Sequence, residues 1–242
     1  MISDKEYVTH QDIKEIIQSY KPLYIFINKK FIYVINNYEI NSELSENIIL
    51  ENKIDENYEI FKDLALLIGT SGSTGSKKFV RISKNNLYSN TKNISNYLQI
   101  QPEDITITTL PLHYTYGLSI VNTHIFSGSG ICINNSSFLE KSFWEKANKF
   151  KINNFGGVPF NYEILKKLKF TKRKIPSLKY ITQAGGHLDK EIKKYFFKDA
   201  KINNYKFIVM YGQVEATSRI SYVFFDKLNE KFNSAGKAIR DG

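Results

Sequence analysis

The sequence predicts an α/β fold in which a mostly parallel sheet is flanked by helices, and three observations carry that expectation. From Leu64 onward, apolar runs of strand length alternate with helix-length amphipathic stretches, the pattern of repeated strand–helix–strand units. Turn-forming segments follow the apolar runs at Gly69, Pro111 to Gly117, Gly156-Gly157, Ala184 to Gly186 and Tyr211-Gly212. Ligands of open α/β sheets bind beyond the carboxyl ends of the strands, so five such loops on one edge imply a cleft. Finally, 242 residues with 42% apolar content suffice for one large domain or two small ones.

Taken in order, Asp12 to Tyr20 reads as a short amphipathic helix with Ile13, Ile16 and Ile17 on one face, stopping before Pro22. Leu23 to Ile27 and Phe31 to Ile35, separated by Asn28-Lys29-Lys30, read as a hairpin. Asn36 to Tyr58 is polar, with Ile48-Ile49-Leu50 as its strong apolar island, and reads as an irregular connection. Leu64 to Ile68 reads as a buried strand, and Phe79 to Ile82 looks extended. Ser83 is an N-cap for a helix reaching Leu98, with Leu87, Ile94, Tyr97 and Leu98 on its apolar side. Strands are expected at Ile105 to Leu110, Ile131 to Ile133, Asn154 to Val158, Tyr180 to Thr182 and Tyr205 to Met210. Helices are expected at Leu118 to Phe126, Leu139 to Phe150, Tyr162 to Leu168 and Asp189 to Phe197.

Composition narrows the function classes. No apolar run approaches the roughly 20 residues that cross a bilayer, and the N-terminus lacks the layout of a signal peptide. The single cysteine, Cys132, excludes an internal disulfide, reads as a buried core residue and fits a reducing cytoplasm. A net charge of +10 permits a polyanionic ligand. The densest basic cluster, Lys166, Lys167, Lys169, Lys172, Arg173 and Lys174, interleaves one aromatic, Phe170, and none of the usual nucleic-acid motifs is present. It reads as a solvated helix end and loop, with a landing site for an acidic carrier protein or a coenzyme phosphate as the functional alternative.

The stretch Gly69 to Lys78, Gly-Thr-Ser-Gly-Ser-Thr-Gly-Ser-Lys-Lys, combines glycines, hydroxyl side chains and lysines. Glycine lets the backbone approach a ligand closely, so successive N–H groups can point at phosphate oxygens while hydroxyls and an ammonium add donors. That is chemistry for a nucleotide triphosphate. It is not the common P-loop, because Gly69 and Gly75 are six apart and Ser76 separates Gly75 from the first lysine.

This loop resembles the T-S-G-[ST]-T-G-x-P-K-G signature of the adenylate-forming superfamily, which contains acyl-CoA synthetases, aryl-CoA ligases and adenylation domains. Thr70 to Gly75 match in full and Lys78 falls on the motif lysine, whereas Lys77 and Phe79 replace the usual proline and glycine. Leu110 to Gly117 looks like the family's L-P-x-x-H segment, with Tyr114 on the His or aromatic position and His113 just before it. Tyr211-Gly212-Gln213-Val214-Glu215 looks like Y-G-x-T-E, Ala184 to Leu188 looks like a displaced G-G-A-P-L, and Ser234 to Lys237 with Asp241-Gly242 looks like G-x-x-G-x-P.

The resemblance implies roles. Thr70, Ser71, Gly72, Ser73, Thr74, Gly75 and Lys78 would hold the β- and γ-phosphates of ATP. Tyr211, with Gly212 and Gln213, would lie against adenine beside Gly185 and Gly186, and Glu215 would hold Mg2+. His113 or Tyr114 would sit where the carboxylate enters, and Gly157 to Phe160 would line the acyl pocket. Lys78, Glu215 and His113 are the candidate catalytic residues. Phe155, Phe160 and Tyr162 suit an apolar or aryl acid, or equally a core. The implied reaction is attack of a carboxylate on the α-phosphorus with loss of pyrophosphate, which needs charge neutralisation and alignment and no nucleophilic side chain. The acyl-adenylate would then pass to the thiol of coenzyme A or of a carrier protein's phosphopantetheine.

Two departures qualify the expectation. Val214 occupies the family's threonine position, removing a hydrogen bond of order 1 kcal/mol. The chain ends before the family's T-G-D segment and small C-terminal domain, so it reads as 1–63 packed on a nucleotide-binding core of 64–242, with the C-terminal domain absent. A separate polypeptide could supply that domain. The competing reading is a non-catalytic ATP or AMP-binding module or an inactive remnant.

Overall fold

The computed structural model describes residues 9–53, 59–70, 78–173 and 175–240. The chain divides into two compact units, residues 1–62 and 63–242.

In the first unit, helix α1 (His10–Tyr20) begins at a capping box. The Thr9 hydroxyl accepts from the Asp12 amide at 3.1 Å, and the Thr9 amide donates to the Asp12 carboxylate at 2.8 Å. Strands β1 (Tyr24–Asn28), β2 (Tyr38–Leu44) and β3 (Asn47–Asn52) form an antiparallel sheet with β3 in the centre. Two expectations fail here. Phe31 to Ile35 is not the second strand of a hairpin, because residues Lys29–Val34 form a 3-10 helix started by the Asn28 side chain. Phe31 and Val34, three apart, then share one face and bury with Ile13. Residues 36–52 are no irregular connection either: they form the β2–β3 hairpin. Ile48 and Leu50 alternate inward from β3, and the polar residues of β2 leave its outer positions exposed. Residues 54–58 of the expected connection lie outside the described residues.

The second unit opens with β4 (Leu64–Gly69) and β5 (Phe79–Ser83), an antiparallel pair separate from the main sheet. Leu64 to Ile68 is thus a strand, but its following loop is a hairpin loop and does not leave the carboxyl edge of the parallel sheet. Local sequence reads the same in either case; the pairing partner decides. Ser83 caps α2 (Lys84–Leu98) with a reciprocal Asn86 bond, and Gln99 ends it in the left-handed conformation.

The seven-stranded sheet runs β12-β11-β10-β9-β8-β6-β7. Strands β6 (Ile105–Ile107), β7 (Gly130–Cys132), β8 (Asn154–Gly157), β9 (Tyr180–Gln183) and β10 (Lys206–Tyr211) are parallel, while β11 (Ser221–Val223) and β12 (Lys237–Ala238) add antiparallel strands at one edge. Helices α3 (Thr115–Phe126), α4 (Lys141–Lys149), α5 (Pro159–Lys167), α6 (Lys190–Asn203) and α7 (Phe225–Leu228) complete the unit. Cys132 lies on edge strand β7, half-buried against the core rather than within it. Of the basic cluster, Arg173 rests over the Trp144 ring at 4.7 Å and Lys166 over Tyr195 at 5.9 Å; Lys174 lies outside the described residues.

Register places Phe155, Ile181 and Phe207 in one row across β8, β9 and β10, and Gly156, Thr182 and Ile208 in the next. Because side chains alternate across a strand, these rows face opposite sides. The first joins a core with Phe143, Phe170, Phe196 and Leu165. The second side packs Tyr116, Tyr180, Met210 and Tyr222. Among the described residues no helix is long and apolar enough to cross a membrane.

Candidate functional site

Gly157, Gln183 and Val209 stand opposite one another, so the chain leaves β8, β9 and β10 side by side at the carboxyl edge. The first of these exits carries Val158 and Pro159, the second Ala184 to Gly186, the third Tyr211 and Gly212. The segment after β6 is held to the same edge, because Thr109 donates its hydroxyl to the Gly156 carbonyl at 2.5 Å. It continues through half-buried His113 to Tyr114, which opens α3.

The loop after β9 is shaped by its own side chains. Buried Gln183 donates to the carbonyls of Gly186 at 3.0 Å and Ala184 at 3.3 Å. Gly185 has φ +81, and a side chain there would meet the Tyr114 hydroxyl and Val158. Just before this loop, the Tyr116 and Tyr162 hydroxyls donate to the Thr182 carbonyl at 2.9 and 2.7 Å. They come from α3 and α5, so both flanking helices are pinned to the strand that delivers Gly185 and Gly186.

Tyr211 ends β10 with its side chain 49% exposed. Its carbonyl accepts from the Ile220 amide at 2.9 Å, closing the loop between them. A Cβ at Gly212 would run into the Ser218 carbonyl, so only glycine fits there. Gln213 precedes a one-turn 3-10 helix, Val214–Ala216, which carries Glu215 at the surface. Thr217 (φ 64) and Ser218 (φ 142) follow in conformations that side chains disfavour. Strain of this kind collects at ligand-binding loops.

Arg219 comes next, 2% exposed. The Asn90 side chain donates to its carbonyl at 2.9 Å, and its guanidinium lies 4.9 Å from the Tyr116 ring centre. Burial pushes the Tyr97 phenol up to about 12, while the Arg219 charge and hydrogen bond pull it down. Tyr114 is likewise raised by burial and opposed by Arg219. Sequence reading passed over this arginine: four residues beyond Glu215, nothing local marks it, and its importance lies in tyrosines from α2 and α3.

The hairpin loop is clasped at its base, where the Thr70 amide donates to the Lys78 carbonyl at 3.0 Å. Lys78 is exposed. Ser71, Gly72, Ser73, Thr74 and Gly75 lie outside the described residues, as do Asp241 and Gly242. Ile68, Thr115 and Thr217 line one small cavity, which sets the hairpin beside the start of α3 and the loop bearing Glu215. Gly157 is buried against Asn161 and Tyr162, whereas Phe160, in the first turn of α5, is 65% exposed. Of the three aromatics considered for an acyl pocket, Phe155 and Tyr162 belong to the core.

Comparison with known proteins follows this geometry. The sequence profile described as AMP-binding enzyme matches residues 28–242. An acyl-CoA synthetase of Alternaria alternata is 31% identical over 181 residues, covering 74% of this chain and 30% of that protein. An oxalate–CoA ligase of Saccharomyces cerevisiae is 33% identical over 97 residues, 40% of this chain and 18% of that one. The chain thus spans less than a third of either relative. Among solved structures, the inhibitor-bound N-terminal domain of FACL13 from Mycobacterium tuberculosis superposes with a TM-score of 0.66 at 17% identity, covering 78% of this chain and 47% of that one. The o-succinylbenzoate CoA synthetase of Bacillus subtilis, in complex with its acyl-adenylate intermediate, gives 0.63 at 24%, covering 73% and 37%.

Proposed function

The chain belongs to the AMP-binding enzyme family, and on that premise we propose that it takes part in ATP-dependent activation of a carboxylic acid to an acyl-adenylate, followed by transfer to a thiol. The observation that carries the reading is the convergence of Tyr114, Gly185-Gly186 and Tyr211-Gly212 on one sheet edge. There the half-exposed Tyr211 ring offers a stacking face for adenine, with Gly212 and Gln213 beneath it. Gly185 and Gly186 allow the backbone close approach. His113 and Tyr114 stand where the acid enters, and Gly157 with Phe160 borders the acyl group.

Thr70, Ser71, Gly72, Ser73, Thr74, Gly75 and Lys78 supply the phosphate donors in this reading. A carboxylate oxygen of the acid attacks the α-phosphorus, the bond to the bridging oxygen breaks, and pyrophosphate leaves with the electron pair. Lys78 offsets the charge brought together by two anions. Among the described residues no cluster of three metal-ligating side chains occurs. A single exposed carboxylate at Glu215 nonetheless suits Mg2+, which binds through one or two carboxylates, water and phosphate oxygens. When bound, the ion supplies charge neutralisation to the phosphates. The thiol acceptor is coenzyme A or a phosphopantetheine carrier protein. A C-terminal domain, on this polypeptide or on a companion one, would complete the chemistry, and the lone cysteine fits a cytoplasmic setting.

ATP–pyrophosphate exchange with a panel of carboxylates tests this: exchange should depend on the acid and disappear in Lys78→Ala. Val214, which lacks the threonine hydroxyl, favours a second reading as a nucleotide-binding module, marked by ATP binding without exchange for any acid. Glu215→Gln should weaken Mg·ATP binding more than magnesium-free AMP binding; equal losses would remove Glu215 from the metal role.

A further inference from the structure

Arg219 is a buried cation with no counter-ion among the described residues. Among the described residues, the acidic partners of ion pairs are Glu39, Glu43, Asp104, Glu145, Glu191 and Glu230, and none pairs with Arg219. Its surroundings are phenols: the guanidinium lies 4.9 Å from the Tyr116 ring centre, and Tyr97 and Tyr114 pack against the cluster that contains Tyr116. Its Nε–H has no hydrogen-bond partner among the described residues. Buried charges are ordinarily paired, because an uncompensated one carries a large desolvation penalty. Such a charge is retained where it meets an anion.

Two directions lead away from the guanidinium. Inward lies a cavity of about 10 Å³ that Arg219 shares with His124, Tyr180 and Met210. A space of this size holds one water molecule and is too small for a carboxylate or phosphate. At the sheet edge Tyr114, half-buried and packed against the cluster that contains Tyr116, places its hydroxyl beside Gly185.

We propose that Arg219 is the positioning residue for the anionic part of the ligand, acting through the Tyr114 hydroxyl on the carboxylate or adenylate phosphate held at Gly185. The identity of that anion rests on the adenylate-forming reading above. Because Arg219 is shielded from solvent, its field at the edge is less screened than that of a surface lysine. The phenol turns that field into a directed hydrogen bond: a hydroxyl beside a cation becomes a better donor to an anion. The shape of the cation matters as well, since a planar guanidinium can lie against the Tyr116 ring while keeping its N–H donors free, which an ammonium cannot do equally well.

The test compares AMP with adenosine by calorimetry, using the full chain and its Arg219→Met, Arg219→Lys and Tyr114→Phe variants. Arg219→Met should weaken AMP by about tenfold or more and adenosine by less than about twofold, with Arg219→Lys recovering part of the loss. Tyr114→Phe should show the same selectivity, and the double variant should lose little more than either single one. Equal losses for AMP and adenosine, or no rescue by lysine, would mean that Arg219 only supports the fold and would overturn the proposal. Should Arg219→Met not fold, Tyr114→Phe decides by the same contrast. If the unaltered chain binds adenosine but not AMP, the proposal fails while an adenine site survives. If it binds neither, the functional reading falls together with it.

Discussion

Phe155 and Phe207 on one side of the seven-stranded sheet meet Phe143, Phe170 and Phe196, with neighbouring ring centroids 5.7 to 6.4 Å apart. The other side is lined by tyrosines: Tyr97 stacks on Tyr222 at 3.9 Å, and Tyr116 and Tyr180 lie nearby with Arg219 and His124. Phenylalanine rings need no hydrogen-bond partner, and the few hydroxyls on that side, Tyr162 and Tyr205, donate to the Thr182 carbonyl and the Asp199 carboxylate. Tyrosine brings a hydroxyl to be accommodated: here Tyr116 donates to the Thr182 carbonyl and Tyr97 to the Met210 sulfur, while the buried Tyr180 hydroxyl has no hydrogen-bond partner among the described residues. In the proposed reading, the difference divides stability and ligand placement between the two sides of one sheet.

The largest effect that could break this division belongs to the phenylalanine side. Phe196→Ala should cost about 3–5 kcal/mol in urea unfolding and leave AMP affinity of the folded protein nearly unchanged. Loss of AMP binding at unaltered stability would place the ligand on the wrong side. Next comes the edge itself: a Cβ at Gly212 cannot be accommodated beside Ser218. Gly212→Ala should therefore cost about 1–3 kcal/mol and abolish AMP binding measured by calorimetry.

A smaller contrast sharpens the comparison further. Tyr116→Phe and Tyr162→Phe each remove one hydrogen bond to the Thr182 carbonyl, and each should cost about 0.5–1.5 kcal/mol in thermal or urea melts. Removing the rings as well separates the two: Tyr116→Leu should also weaken AMP, because the Tyr116 ring lies against Arg219, whereas Tyr162→Leu on the core side should not. Indistinguishable AMP affinities would dissolve the asymmetry.

The smallest effect is a pH slope. Burial holds the His124 pKa below its ordinary 6.5, against opposing influences from the Ile120 carbonyl, Asp104 and Asn154. The unfolded chain therefore binds a proton more readily than the folded one below pH 6.5. Stability from the buried neutral ring is fully present above that pH and is lost as pH falls toward the folded pKa. Urea midpoints measured downward from pH 7.5 should show this fall, and His124→Gln should flatten it.

Much of the second unit was legible because its signals are local. Ser83 and the apolar stripe from Leu87 to Leu98 mark α2 within a residue of its bounds. Glycine after an apolar run marked the exits of β8, β9 and β10, where the candidate residues gather. The first unit was less legible. The β2–β3 hairpin is polar on its outer positions, so alternation there is weak, and the 3-10 helix at Lys29–Val34 has the composition of a strand. Arg219 could not be singled out at all, since its cage comes from Tyr97, Tyr114 and Tyr116.

The opening regularity, apolar runs alternating with amphipathic helices and glycine-bearing loops, determined the α/β class and the parallel sheet, and the short motifs from Thr70 to Lys78 and from Tyr211 to Glu215 pointed to the family, because each depends on residues close together in the chain. Pairing partners are long-range, and so only the tertiary structure decided that β4 pairs with β5 outside the main sheet. It also decided which side of that sheet gathers the phenylalanines, and that an arginine is buried against the Tyr116 ring on the other. Strand pairing and charge burial depend on contacts between distant segments, and a charge acquires its energy only from the surroundings that folding builds around it.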